Sequence, residues 1–384
     1  MEGATFSKYS WIDFVFSVIG ACTFLVDWGS DVWLAAEFYR RGDVTWFWVL
    51  YDRELPGFRA QTEAAAVLLG DRAKLSCAVH VLQLGFLCRH ISAIRQGFRV
   101  WWRKEKGSEY AIYQTHDLSM LRLIETFSES APQLTLMIYV MLHTHKARAV
   151  QFVSIAASTT SIAWMVVDYH RSLRSFLPDK AKQGWGSSLI YFLWNLLLIA
   201  PRVAALALCA SVLSGYMAAH FLMLWSAFAL WAWRQGTHFM DSVAGEWLYR
   251  ATVGLIWYFS WFNVKDGQTR SRSAIYHSFI STDGAILLAT WWCHRDPVQT
   301  QSYALALLIA LPLFHFLGLL FKALYYCCFH PKLWRPPARD PGLPNDLPDA
   351  QVSMRDFPIQ DGGLSPKLLN KRMAGQVARF YSDE

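Results

Sequence analysis

Charged residues are scarce in this chain. They make up 17% of 384 residues, against about 25% in an average globular protein. Low charge with high hydrophobicity excludes disorder for most of the chain, because a disordered chain needs the reverse balance. Seven Cys at irregular spacing, with no Cys-x-x-Cys pair, exclude a small disulfide scaffold. Gly-x-Ser-x-Gly, a phosphate-binding loop and His-Glu-x-x-His are all missing, which argues against an integral-membrane hydrolase. There is no Asn-x-Ser/Thr, so N-glycosylation is not expected. Asp168 and His170 are two potential ligands without a third nearby, so no metal and no other cofactor is expected.

What is abundant is apolar and aromatic. Hydrophobic residues reach 54% and aromatic ones 16%, with 19 Trp and 25 Phe. The mean hydropathy of +0.20 fits a membrane protein diluted by polar loops and a tail. A spanning helix needs about 20 mostly apolar residues. Runs at 12–38, 118–142, 150–169, 187–213, 216–234, 273–293 and 301–329 qualify. Asp13 and Asp27 interrupt the first run, so it reads as a retained span and not as a signal peptide. Segments 76–102 and 246–264 are apolar but carry charges, and read as re-entrant or interfacial. Segment 44–75 begins as a span, then meets Asp52, Arg53, Glu54, Pro56 and Arg59. Each charge at a bilayer centre costs roughly 2.5–3.5 kcal/mol on insertion scales, so this is a broken crossing.

The net charge is +7, and its basic patches lie between apolar runs at 95–106, 171–182 and 265–272 and at Lys332 and Arg335. That pattern fits a cytoplasmic membrane face and not a nucleic-acid groove. It places both termini in the cytoplasm, which requires an even number of crossings and so counts the broken one. The expected fold is an all-α polytopic membrane protein in two pseudo-repeated halves. Two spans, a re-entrant element and two more spans cover 12–169, and the same order covers 187–329. The domains are then residues 1–170, with 44–75 aberrant, residues 171–330, and a tail at 331–384. The tail is rich in Pro and Asp, although 364–380 regains helical spacing.

The strongest chemical signal is charge inside the spans. Asp13, Asp27 and Asp31 fall near one helix face, and Glu125 and Glu129 stand four apart. Asp168 ends another run, Arg202 lies within the run 187–213 and Asp283 within 273–293. Intramembrane ionisable groups are costly and face a cavity, a partner or a polar path. Internal ion pairs, such as Glu125 or Glu129 with Arg122, Arg202 or Arg89, are the plainer alternative. Pro132 marks a bend or hinge. Trp46 and Trp164 stand at expected span ends, as belt anchors or gates. Cys327 and Cys328 are ordinary interfacial thiols or palmitoylation sites. In the tail, Asp346 to Ala350 has the frame of an effector-caspase site cut after Asp349, with Asp361-Gly362 a poorer second.

The stretches DLSMLRLIETFSESAPQLTL (117–136), WMVVDYHRSLRSFLP (164–178), IYFLWNLLLIAPRV (190–203), GEWLYRATVGLIWYFSWFNV (245–264) and YYCCFHP (325–331) are long and specific. Together with FLVDWGSDVW (24–33) and NKRMAGQVARF (370–380), they make the chain resemble the XK-related family of phospholipid scramblases. The resemblance implies about eight transmembrane helices, two re-entrant helices and cytoplasmic termini in the plasma membrane. It implies transport of phosphatidylserine to the outer leaflet during apoptosis, after an effector caspase removes the tail. It also implies a partner of the immunoglobulin-superfamily chaperone type, such as basigin or neuroplastin. The family's charged lipid path falls here on Asp13, Asp27, Asp31, Glu125, Glu129, Asp168 and Arg202, with Trp46 and Trp164 beside it. The chain departs from the family at 47–75, where relatives have a continuous apolar span. A small-solute transporter, a non-transporting scaffold and an inactive isoform are the competing expectations.

Overall fold

In membrane-like sequence the backbone must satisfy its own hydrogen bonds, and helices do so within one segment. The computed structural model describes residues 9–40, 84–104, 108–144, 149–176, 182–237, 242–264 and 269–330, and every regular element among them is helical. The helices are α1 (Trp11–Arg40), α2 (Leu84–Trp102), α3 (Ser108–Glu125), α4 (Ala131–Thr144), α5 (Ala149–Phe176) and α6 (Trp185–Val212). They continue with α7 (Ser214–Arg234), α8 (Val243–Phe259), α9 (Thr269–His294), α10 (Pro297–Thr300) and α11 (Ala304–Leu324). Segment 44–75, the tail and its Asp346–Ala350 frame lie outside the described residues.

Among the described residues, five helices are long and apolar enough to cross a membrane: Trp11–Ser30, Ala149–Ser175, Trp185–Val212, Ser214–Arg234 and Ala304–Phe329. Two further expected spans, 118–142 and 273–293, are also helical. A π-helical turn at Thr126–Ser130 interrupts the first, and Ser278, Ser281, Thr282 and Asp283 make the second more polar. The turn has a local cause. Pro132 has no N–H to donate back, and the Ala131 N–H reaches Thr126 O, five residues earlier. The hinge expected at Pro132 is therefore a wide turn just before it.

α6 is the hub. It packs against α11, α4, α5 and α9, and Ile199, Ala207 and Cys209 are wholly buried on it. A helix apolar all round belongs inside a bundle. α7 and α8 form a close antiparallel pair, and α1 lies along α5.

A small residue sets the approach of α7 and α8. A Cβ at Gly254 of α8 would lie 2.9 Å from Trp225 O and 3.0 Å from Ala229 N of α7. Backbone cannot yield as a side-chain tip can, and membrane helices use such small residues for close contact. Gly254→Leu is therefore expected to wedge α7 from α8 and cost about 1–3 kcal/mol or more. The thermal midpoint of the detergent-purified protein checks it. A midpoint equal to that of the parent would show that the contact is dispensable.

Candidate functional site

Among the described residues, the charges singled out in the sequence gather in three polar clusters among the apolar helices. The first ties the start of α1 to the end of α5. Asp13 accepts bonds from Ser10 N (2.9 Å) and Ser10 Oγ (2.8 Å), from Arg171 (2.9 Å) and from Lys182 (2.8 Å). Arg171 also donates to Gln183 O at 2.5 Å and lies 4.3 Å over the Phe16 ring. This corrects the reading of 171–182 as a basic loop. Arg171 is a buried helical residue, because Asp13 and the Gln183 carbonyl compensate it. Asp168 likewise lies two turns inside the helix and not at its end.

A cavity of about 10 Å³ opens beside this cluster, lined in part by Tyr9, Asp13, Thr115, Asp168 and Ser175. That is room for about one water, far too little for a lipid head group. At its edge, burial pushes the Tyr9 phenol up to about 12.

The second cluster lies about 21 Å further along α1, at 1.5 Å per residue. Asp27 is buried there, with the hydroxyls of Ser130, Ser158 and Ser161 and the Arg122 charge around it. Arg122 pairs with Glu125 at 2.5 Å and stands 4.5 Å over the Phe24 ring. Among the described residues, Asp27 Oδ1 has no hydrogen-bond partner. Asp13 and Asp27 both meet α5, as their shared face requires. Asp31 continues that face of α1, but its side chain lies outside the described residues. Glu129 is half-buried in the π turn, one helical turn beyond Glu125.

The third cluster joins four helices. Arg202 of α6 pairs with Asp283 of α9 and donates to the Tyr258 carbonyl of α8 at 3.1 Å. His220 of α7 meets Asp283 Oδ1 at 3.0 Å and the Tyr258 hydroxyl at 3.1 Å. Of the three arginines weighed as partners for Glu125 or Glu129, Arg122 pairs with Glu125. Arg89 lies 3.9 Å from Asp117, and Arg202 goes to Asp283.

Trp164 was expected at a span end, and the structure corrects that. It sits mid-span in Ala149–Ser175, stacked on Phe16 at 4.9 Å. α5 is longer than its apolar run, because its terminal arginines are paired or enclosed. Gly20 of α1 faces Trp164 Nε1, Asp168 and His90, each within 4.0 Å of where a Cβ would stand. Neither Trp164 Nε1 nor His90 Nε2 has a partner among the described residues. Trp46 lies outside those residues.

Among the described residues, no three His, Cys, Asp or Glu side chains converge on a metal-sized point. His170 meets Gln183 at 3.0 Å and stacks on Tyr191 at 4.3 Å, so it is a packing group. Sequence reasoning missed Ser158, Ser161, His220 and the pair Lys322–His277. A polar side chain every fourth residue on α9 (Ser273, His277, Ser281) was the available signal.

A family model described as XK-related protein matches residues 15–331. XK-related protein 8 of Gasterosteus aculeatus is 95% identical over 404 residues, covering 100% of both chains. XK-related protein 8 of Tetraodon nigroviridis is 70% identical over 100% of this chain and 99% of its own. The Pan troglodytes protein of the same name is 39% identical over 96% of this chain and 94% of its own. The 404 aligned positions of the first relative exceed the chain's 384 residues by 20, so at least that many hold no residue of this chain. Those positions account for essentially all of the 5% that is not identical.

Proposed function

The chain belongs to the XK-related family, and from that premise we propose that it is a phospholipid scramblase, exposing phosphatidylserine on the outer leaflet of the plasma membrane once a caspase has cut its tail. The observation that carries this reading is the set of buried polar clusters inside an apolar helical bundle, around Asp13, Asp27 and Arg202. A head group moves along such groups while its acyl tails stay in lipid. No bond is made or broken, so the protein is not an enzyme in the chemical sense. The path runs past Asp13, Asp27, Asp31, Glu125, Glu129, Asp168 and Arg202, with Trp46 and Trp164 beside it. The one-water cavity at Asp13 supports a closed resting state that opens by helix displacement. Eight spans, two re-entrant helices, two repeated halves and cytoplasmic termini complete the reading. An immunoglobulin-superfamily chaperone of the basigin or neuroplastin type brings the protein to the surface.

The test is lipid movement by the purified protein in vesicles. Tail-cleaved protein should let dithionite bleach fluorescent lipid of the inner leaflet, beyond the roughly half that protein-free vesicles lose. Bleaching that stops at half in vesicles shown to contain the protein would refute the reading.

Two observations favour rival readings. Most of the buried charges are paired with one another, which suits a scaffold. Under that reading, Glu129→Gln with Asp31→Asn spares lipid flux and impairs partner assembly. The 20 missing positions suit an inactive isoform. We assign them to the aberrant segment at 47–75, where the family's second span is shortened. Surface arrival without lipid exposure would favour that isoform.

A further inference from the structure

α9 and α11 each pack mainly on α6 and meet one another over only a short stretch. Their seam is polar. Lys322 of α11 donates to Ser273 Oγ at 2.5 Å and to His277 Nε2, both on α9. Two turns away on α11, His315 meets Ser281 at 2.8 Å. The Lys322 ammonium also lies 5.6 and 5.8 Å from the ring centres of Trp194 and Trp261. Ser273, His277 and Lys322 are each only 9% exposed.

The proton inventory of this cluster does not balance. An ammonium carries three donors, and two are used. His277 accepts at Nε2, so its proton is on Nδ1, and Nδ1 has no partner among the described residues. Ser273 accepts the lysine bond, and no described group accepts its own hydroxyl proton. Three donors therefore lack an acceptor, around a buried positive charge that no described carboxylate pairs. A buried cation held only by neutral groups is costly. What would complete it is an anion with several oxygens.

The surroundings favour such a ligand. Arg270 and Arg272 stand in the first turn of α9, whose N-terminus adds positive potential. Lys322 is seven residues, about 10 Å, from the end of the apolar segment Ala304–Phe329, and its partner Ser273 is only four residues, about 6 Å, from the start of α9.

We propose that Ser273, His277 and Lys322 form a binding station for the phosphate of a membrane phospholipid, reached through the α9–α11 seam from the end where the tail begins. The ammonium, the hydroxyl and the Nδ1–H each donate to a phosphate oxygen. The station is separate from the Asp and Glu path, and it holds whether or not lipid crosses the membrane.

The test uses the full chain in detergent, with its thermal midpoint followed against added phosphatidic acid, diacylglycerol or inorganic phosphate. Phosphatidic acid should raise the midpoint saturably, and diacylglycerol, which lacks the phosphate, should not. Lys322→Met should raise the phosphatidic acid concentration required by about ten-fold or more, and Lys322→Arg should retain binding. Without lipid, Lys322→Met should be at least as stable as the parent, because it removes an uncompensated charge. A helix-joining lysine would show the opposite: a lower lipid-free midpoint and an unchanged lipid response, which overturns the proposal. If the Met variant does not fold, Ser273→Ala keeps the ammonium and should weaken the lipid response several-fold. An unchanged response in that variant also overturns the proposal. A response to inorganic phosphate alone would assign the station to a soluble anion and reject the lipid.

Discussion

Arg202→Met is expected to lower stability by about 3–5 kcal/mol and to keep the protein from the cell surface. The size follows from what is left behind. Arg202 is buried, pairs with Asp283 and holds the Tyr258 carbonyl. Removing one partner of such a pair strands the other charge in a site that is largely, though not wholly, shut off from solvent. Asp283 would keep only His220, at 3.0 Å. The expectation has a built-in control. Arg202→Met with Asp283→Asn removes both charges and should recover most of the thermal midpoint and the surface signal. If the double variant reaches the surface but moves no lipid, the pair serves the path as well as the packing. If the single variant is as stable as the parent, the cluster is not holding four helices together.

The second large effect concerns the tail. Asp349→Ala is expected to abolish phosphatidylserine exposure in apoptotic cells that lack the endogenous protein and its relatives. Caspases cut after Asp in exposed, extended chain, and the Asp346–Ala350 frame lies in a Pro- and Asp-rich stretch of the sequence. Annexin V binding to intact cells, with surface labelling as the control, reads the outcome. Exposure that persists with Asp361 also replaced would remove the switch from the mechanism. Loss of surface arrival instead would indict assembly and leave activity to the vesicle assay.

Much of this protein was legible in its sequence, for physical reasons that act locally. Apolar runs of about 20 residues announce helices wherever the backbone must bond to itself. Among the described residues, five such helices stand near the expected limits, at the first, third, fourth, fifth and last runs. Intramembrane Asp13, Asp27 and Glu125 stood out because charge in such runs is expensive, and all three are buried. Family membership also followed from contiguous motifs in the sequence.

Pairing is what only the tertiary structure decided. Periodicity places Asp13 and Asp27 on one face, but it cannot say that Asp13 meets Arg171, 158 residues away. It could not separate Arg202 from the Asp27 cluster, since Arg202 chooses Asp283 through the packing of α6 on α9. α5 runs past its apolar stretch because Asp13 of α1 and the Gln183 carbonyl just before α6 make Arg171 tolerable there. Nothing local marks Lys322, and its unmatched donors exist only because α9 brings Ser273 and His277 against it. Hydrophobic length is a property of one segment, whereas the compensation of a buried charge belongs to the segments that surround it.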